Sequence, residues 1–399
     1  MNILFLGALY SQDKIDEYKN NSKSGLQFAA QNLQESLIEG LLYNNVSVTV
    51  LSKPSLSTYP KGYCKLKIPE CPFIFRSMNM GKSMGFINLP LFNNPSIKRY
   101  LKEIDIWYKS HRGEKEIWVY SLNRHFMEIA LVAKKRYPDI HILQIVPDLP
   151  RFMGHNRYYQ MLGLYRRDSG LIYNYIKKFD MFVLLCKNMA DDLGIANKAY
   201  IVIEGIFSPV DNIREVERSK NKIILYTGNM DSRYGIPELL KAFSLIADHK
   251  YHLWLRGNGD TEKTVKEMMK SNSRIKLIPP MSKSALLELQ KSVTVLVNPV
   301  SPSQEFSKYF FPSKTMDYLA SGTPTLMFKL DCLPSDYEEH LYFFKDNSPI
   351  EMANTIIDIC ERGENELSAK GDKAKRFILN NKLAKNQVRK ILDYVKENL

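Results

Sequence analysis

The chain has 399 residues, 44% hydrophobic and 25% charged, with 19 Gly and 19 Pro. That is an ordinary globular composition with room for two domains of about 200 residues each. Its 56 Lys and Arg against 43 Asp and Glu leave a net charge of +13, and without a helix-turn-helix, zinc-finger or RNA-binding signature this excess points to anionic ligands or an anionic membrane surface, not to nucleic acid.

The opening "MNILFLGALYSQDK" carries no basic residues ahead of a short apolar run, so it reads as a first buried strand and not as a signal peptide. No run reaches the roughly 18 apolar residues of a membrane span, and the expected location is the cytoplasm. The five cysteines are odd in number, scattered and without CxxC spacing. They are expected as buried free thiols, with a Cys64–Cys71 pair as the alternative.

In chain order, "NILFLGA", "VSVTVLS", "EIWVYSL", "HILQIVP", "MFVLLC" and "AYIVIEG" are apolar runs of strand length, with helical patterns such as 25–43 and 126–136 between several of them. A second series follows, "KIILYTG", "YHLWLRG", "IKLIPP", "TVLVNPV" and "TPTLMF", separated by helical patterns near 235–248, 261–271 and 283–291. Continuous apolar strands alternating with helices predict parallel sheets covered on both faces. The division is a first domain over 1–207, a charged linker over 208–221, a second domain over 222–382, and a C-terminal helix over 383–399 expected to pack back on the first domain. Ligands of such sheets bind beyond the carboxyl ends of the strands, so the loops there carry the candidate residues.

"YTGNMDSRYGIPELLKAF" (226–243) supplies Gly228 and Asn229 at a strand end and Arg233 as a phosphate partner, or else a tight turn with a solvated arginine. "WLRGNGDTEKTVKEM" (254–268) places Gly257, Asn258 and Gly259 between strand and helix. This Gly-x-Gly lets a base or phosphate approach the backbone, and it lacks the third glycine of a dinucleotide fingerprint. "FFPSKTMDYLASGTPTL" (310–326) is the strongest candidate. It reads as a helix start whose free amides, at 313–315, suit phosphate with Lys314 beside them, so Pro312, Ser313 and Thr315 are candidate donor-binding residues, while Asp317 one turn inside suits vicinal ribose hydroxyls. The alternative is capping by Ser313, with Asp317 complementing the helix dipole.

The order and spacing of "YTGNM…YGIPELLKAF", "LWLRGNGD", "LVNPV" and "FPSKTMDYLASGTPTL" resemble the family 4 retaining glycosyltransferases of the GT-B fold, most specifically over 222–330. The resemblance implies two doubly wound Rossmann-like domains facing a central cleft, with the nucleotide sugar on the second and the acceptor on the first. The family pattern has two glutamates separated by seven residues. Asp317 falls at the second position and Tyr309 at the first, with Glu305 as a shifted substitute for the sugar-contacting acid. Where the family often has an arginine and a lysine after "YTG", this chain has Asn229 and Tyr234, so Arg233 and Lys314 are the candidates for the phosphate charge and for stabilising the leaving diphosphate.

On the acceptor side, Asp148 in "VPDLPRFM" is the candidate to orient or deprotonate the acceptor hydroxyl, and His125 in "SLNRH" is its rival. Their alternatives are a cap before Pro150 and a satisfied interior histidine. The stretch 151–179 interleaves basic and aromatic residues, and Lys and Arg exceed Asp and Glu by nine through residue 207, which suits contact with an anionic membrane or a lipid-linked acceptor; the alternative is a helix with a core-facing aromatic stripe and a solvated basic face. No Asp-x-Asp pair is present, so no metal and no further cofactor are expected. The expected reaction is retaining transfer from a nucleotide sugar, UDP- or GDP-linked, in bacterial surface polysaccharide synthesis. A non-catalytic nucleotide-sugar-binding subunit and a sugar-nucleotide epimerase are the alternatives.

Overall fold

The computed structural model describes residues 1–90, 94–152, 164–210 and 214–398, which form two compact units, Met1–Ile206 with Ala384–Leu399 and Phe207–Leu383. In the first unit the strands are β1 (Asn2–Gly7), β2 (Ser47–Ser52), β3 (Lys67–Ile68), β4 (Cys71–Phe75), β5 (Met78–Ser83), β6 (Phe86–Ile87), β7 (Lys115–Tyr120), β8 (His141–Val146), β9 (Met181–Leu184) and β10 (Ala199–Val202). Its helices are α1 (Ile15–Asn21), α2 (Phe28–Tyr43), α3 (Ile97–Ser110), α4 (Arg124–Arg136), α5 (Leu164–Ile176) and α6 (Asn188–Asp192), joined by the terminal helix Ala384–Asn398.

Eight strands form one sheet in the order β10-β9-β8-β7-β1-β2-β5-β4, parallel except for the antiparallel edge pair β4–β5. Ile3, Leu4, Phe5 and Leu6 of β1 are fully buried, because helices cover both faces of a central parallel strand. Strand β5 (MNMGKS) has no apolar run that would announce it, yet it pairs with β2 from Val50↔Gly81 to Ser52↔Ser83. Gly81 makes this possible: its φ is +143°, and a Cβ there would lie 2.1 Å from the Val50 carbonyl oxygen. The terminal helix packs on α2, where a Cβ on Gly40 would lie 2.5 Å from the Ala384 carbonyl oxygen.

The second unit contains β11 (Lys222–Thr227), α7 (Ile236–Ser244), β12 (Tyr251–Arg256), α8 (Glu262–Ser271), β13 (Ile275–Leu277), α9 (Lys283–Ser292), β14 (Val295–Asn298), α10 (Lys314–Ser321), β15 (Thr325–Met327), β16 (Tyr342–Phe343), α11 (Pro349–Glu361) and α12 (Glu364–Asn381); the terminal helix Ala384–Asn398 of the first unit is then α13. Its six strands are all parallel in the order β13-β12-β11-β14-β15-β16. Ser282 and Ser348 cap α9 and α11 through their hydroxyls.

All five cysteines are free; Cys186, Cys332 and Cys360 are buried, whereas Cys64 is exposed and Cys71 half-buried, against the expectation of buried thiols throughout. Among the described residues no helix is long and apolar enough to cross a membrane. Of the basic and aromatic stretch 151–179, residues 153–163 lie outside the described residues. In its remainder Ile172, Ile176 and Phe179 are buried, while Arg166, Arg167, Lys177 and Lys178 are exposed. That is the arrangement of a core-facing stripe with a solvated basic face.

Candidate functional site

In each large sheet the chain leaves the first strand on one side and later returns to the other. The turning points lie between β11 and β14 in the second unit and between β1 and β7 in the first. Loops beyond the carboxyl ends of such strands diverge and leave a crevice.

In the second unit β11 runs directly into Gly228, and the loops after β11 and β12 lock together through backbone. Gly228 N–H donates to the Arg256 carbonyl at 2.9 Å, and Met230 N–H to the Asn258 carbonyl at 2.8 Å. A Cβ on Gly257 would lie 1.7 Å from the Gly228 carbonyl oxygen, and one on Gly259 would lie 2.1 Å from the Met230 carbonyl carbon. Both glycines thus serve a loop-to-loop contact. Asn229 accepts from the Asp231 amide at 3.0 Å through its side chain, a local turn bond.

Helix α10 follows the long loop after β14. Ser313 occupies its N-cap position with helical dihedrals (φ −52°, ψ −32°) and makes no capping bond, so the capping alternative for Ser313 does not hold. The amide of Thr315 donates to the Pro312 carbonyl at 2.8 Å. The Thr315 side chain is fully buried, 4.0 Å from the Met327 sulfur, in a core position. Lys314, by contrast, points its Nζ at the β11 loop. Nζ lies 4.0 Å from the Tyr226 ring centre and 5.8 Å from the Tyr234 ring centre, and a Cβ on Gly228 would come within 3.1 Å of it.

Lys314 Nζ is itself buried and has no hydrogen-bond partner among the described residues, and burial pulls its pKa down to about 7. Asp317, one turn on, makes no ion pair with Lys314, and burial raises its carboxyl above the usual range while the Lys283 charge acts in the opposite direction. Both amide atoms of fully buried Asn298, at the end of β14, also lack a partner among the described residues. Unsatisfied buried groups of this kind call for a ligand or ordered water.

Arg233 is placed differently. Its guanidinium is 63% exposed and grips Asp231 with both arms, at 2.9 and 3.1 Å, so its charge is already matched. Glu305 is exposed and opens the turn Glu305–Lys308. Tyr234, at the family's lysine position, forms an aromatic triangle with Phe306 and Phe310 with ring centres 5.6 to 6.3 Å apart. The Tyr226 ring and Asn298 went unnoticed in the sequence because an aromatic or amide at a strand end reads as core.

In the first unit, Ser121 just past β7 holds a left-handed φ of 67°, costly for a non-glycine residue and often retained at functional sites. Asn123 caps α4, accepting from the amides of His125 and Phe126 at 3.0 and 3.3 Å. His125 in the first turn is 9% exposed, and burial, with the Lys53 charge second, brings its pKa down to about 4. It is therefore neutral near pH 7, and its Nε2 has no partner among the described residues. Asp148 follows β8; its side chain is exposed, yet the surrounding chain withdraws enough water to raise its pKa. Met153 of the same loop lies outside the described residues.

Residues 210–382 match the family model of glycosyl transferases group 1. No curated protein matches the chain. Among solved structures it is similar to sucrose-phosphate synthase from Thermosynechococcus elongatus, with TM-score 0.65 and 12% identity over 100% of this chain and 99% of that one. It is similar also to Anabaena HepE in complex with UDP (TM-score 0.63, 10% identity, 100% of both chains). A glycosyltransferase from Rickettsia africae gives TM-score 0.63 at 14% identity over 100% of this chain and 98% of that one. These likenesses establish the GT-B fold. The family match covers residues 210–382, within the second unit, and there supports a domain of the glycosyl transferases group 1.

Proposed function

We propose that the protein transfers a glycosyl group from a nucleotide-diphosphate sugar, bound by the second unit, to a hydroxyl of a glycan acceptor held by the first. The observation that carries this reading is the buried, unpartnered Lys314 ammonium at the start of α10, facing the Gly228 loop at the turning point of the sheet. An anion at that point receives a full charge and the helix dipole together. As the glycosidic bond breaks, the diphosphate gains charge, and a cation already fixed in a dry setting stabilises it without reorganisation. Asp317 takes the ribose hydroxyls on this reading. The UDP in HepE supports a uridine nucleotide as donor.

Retention of configuration rests on the resemblance to family 4. Independence from metal rests on Lys314 taking the place of the ion. The basic first half of the chain supports a lipid-linked acceptor at the inner face of a bacterial membrane, in surface polysaccharide synthesis. One observation favours a second reading, a binding subunit without turnover: Tyr309 stands where the family has its sugar-contacting glutamate, and Glu305 is exposed.

Thermal unfolding with UDP, GDP, dTDP or CMP in EDTA tests the donor site. One nucleotide at about 100 times its Kd should add roughly 2.7 kcal/mol, an effect absent in Lys314→Met. If none shifts the transition, the transferase reading fails. Nucleotide binding with no nucleotide released from UDP-glucose, UDP-GlcNAc or their GDP counterparts favours the binding subunit.

A further inference from the structure

Strands β2, β1 and β7 are neighbours, so residues just past their carboxyl ends share one edge of the first sheet. Lys53 immediately follows β2, and its amide donates to the Gly7 carbonyl at the end of β1, at 3.0 Å. Its Nζ lies 4.9 Å from the Phe86 ring centre. Among the described residues Lys53 has no ion pair and no side-chain hydrogen bond, and burial brings its pKa down to about 8. Its half-buried side chain lies along that aromatic ring with no carboxylate to match its charge among the described residues.

His125 enters the same edge after β7 at the first turn of the thirteen-residue helix α4. One ring nitrogen bonds the Pro95 carbonyl. Nε2, with no partner among the described residues, is then left as a buried acceptor in a side chain only 9% exposed. The Tyr100 ring stands edge-on at 5.7 Å, and its hydroxyl is buried and also lacks a partner among the described residues. The Lys53 charge reaches His125 strongly enough to lower its proton affinity. A half-buried cation with no carboxylate partner and a buried acceptor with no donor, among the described residues, thus stand at one strand edge, the kind of edge at which such sheets bind ligands.

We propose that Lys53 and His125 form a subsite for an anionic group carried beside a hydroxyl: the ammonium takes the carboxylate or phosphate, and the imidazole Nε2 accepts from the hydroxyl. The molecule that the first unit receives is therefore an acidic sugar or a sugar phosphate and not a neutral sugar. Calling that molecule the acceptor rests on the transferase reading; the anion subsite itself does not.

Calorimetric titration of the full chain with inorganic phosphate, with glucuronate and with glucose tests this, on wild type, Lys53→Met, Lys53→Arg and His125→Gln. Wild type should bind glucuronate or phosphate and not glucose, and which anion binds tells carboxylate from phosphate recognition. Lys53→Met should weaken that binding at least tenfold, and Lys53→Arg should restore part of it. His125→Gln should weaken glucuronate more than phosphate. The proposal is overturned if wild type binds neither anion at millimolar concentration. It is equally overturned if Lys53→Met, folded by its melting temperature, binds like wild type. UDP titrated separately reads the transferase assignment, so a failure there stands apart from a failure here.

Discussion

Lys314 holds its ammonium 4.0 Å from the centre of the Tyr226 ring, with no hydrogen bond or carboxylate to satisfy it among the described residues. The ring face offsets part of the lost hydration. What remains unmet is the charge that a phosphate would supply.

If Lys314 holds the donor diphosphate as proposed, nucleotide binding depends on pH. Free Lys314 titrates near 7, well below its ordinary 10.5, and a bound diphosphate favours the charged form. Binding above pH 7 therefore takes up a proton, and affinity should fall as pH rises from about 7 to 9, approaching tenfold per unit. In the ligand-free protein the sign is opposite. The folded state binds fewer protons than the unfolded between about 7 and 10.5, so Lys314 makes stability rise with pH over that window. Calorimetry of UDP at pH 7, 8 and 9 checks the first effect; an equal slope in Lys314→Met would remove Lys314 from the site.

Asp317→Asn should weaken UDP by roughly 10- to 100-fold, the usual cost of losing hydrogen bonds to a charged group. The variant should also lose any preference for UDP over 2′-deoxy-UDP. Titrations of both nucleotides on both proteins decide it: a preference that survives the substitution shows that the ribose is read elsewhere.

Gly257→Ala should be strongly destabilising, because the added carbon would meet the Gly228 carbonyl oxygen at 1.7 Å at a φ of +152°. A loss above about 2 kcal/mol is expected. Gly170→Ala, in α5 with nothing within 4 Å of the added carbon, should instead gain about 0.5–1 kcal/mol. Paired urea melts give both values.

Glu116 on β7 is 1% exposed and accepts from the Trp118 indole at 2.6 Å, and burial pushes its carboxyl up to about 7. A raised folded pKa means that the folded state binds more protons between about 4.5 and 7. The contribution to stability is therefore full below 4.5 and is lost as pH rises through 7. Glu116→Gln keeps an acceptor for the indole and should raise stability at pH 8 by up to roughly 3 kcal/mol relative to its effect at pH 4.5. Melting curves across pH 4.5–8 that stay parallel to wild type would show that Glu116 does not titrate in this way.

Much of the architecture was legible along the chain. Runs such as "NILFLGA" and "KIILYTG" are apolar over consecutive central positions because central parallel strands are covered on both sides, and this signal is local. Helix ends were legible where a side chain caps them, as at Ser282 before α9, and were misread at Ser313, whose residue type suits a cap while its backbone is already helical. Strand β5 escaped notice because its place depends on Gly81 lying against Val50, thirty-one residues away.

The candidate site divides in the same way. The types and spacing of Gly228, Gly257, Lys314 and Asp317 are properties of the sequence, and they nominate this helix start as a candidate phosphate site. Which positive charge stays unmatched is settled only in three dimensions. Arg233 finds Asp231 two residues away and is matched. Lys314 is folded against Tyr226, eighty-eight residues earlier in the chain, and Lys53 against Phe86, thirty-three residues later. The charge on a side chain is set by its chemistry, but whether that charge has a partner depends on neighbours that only the folded chain brings near.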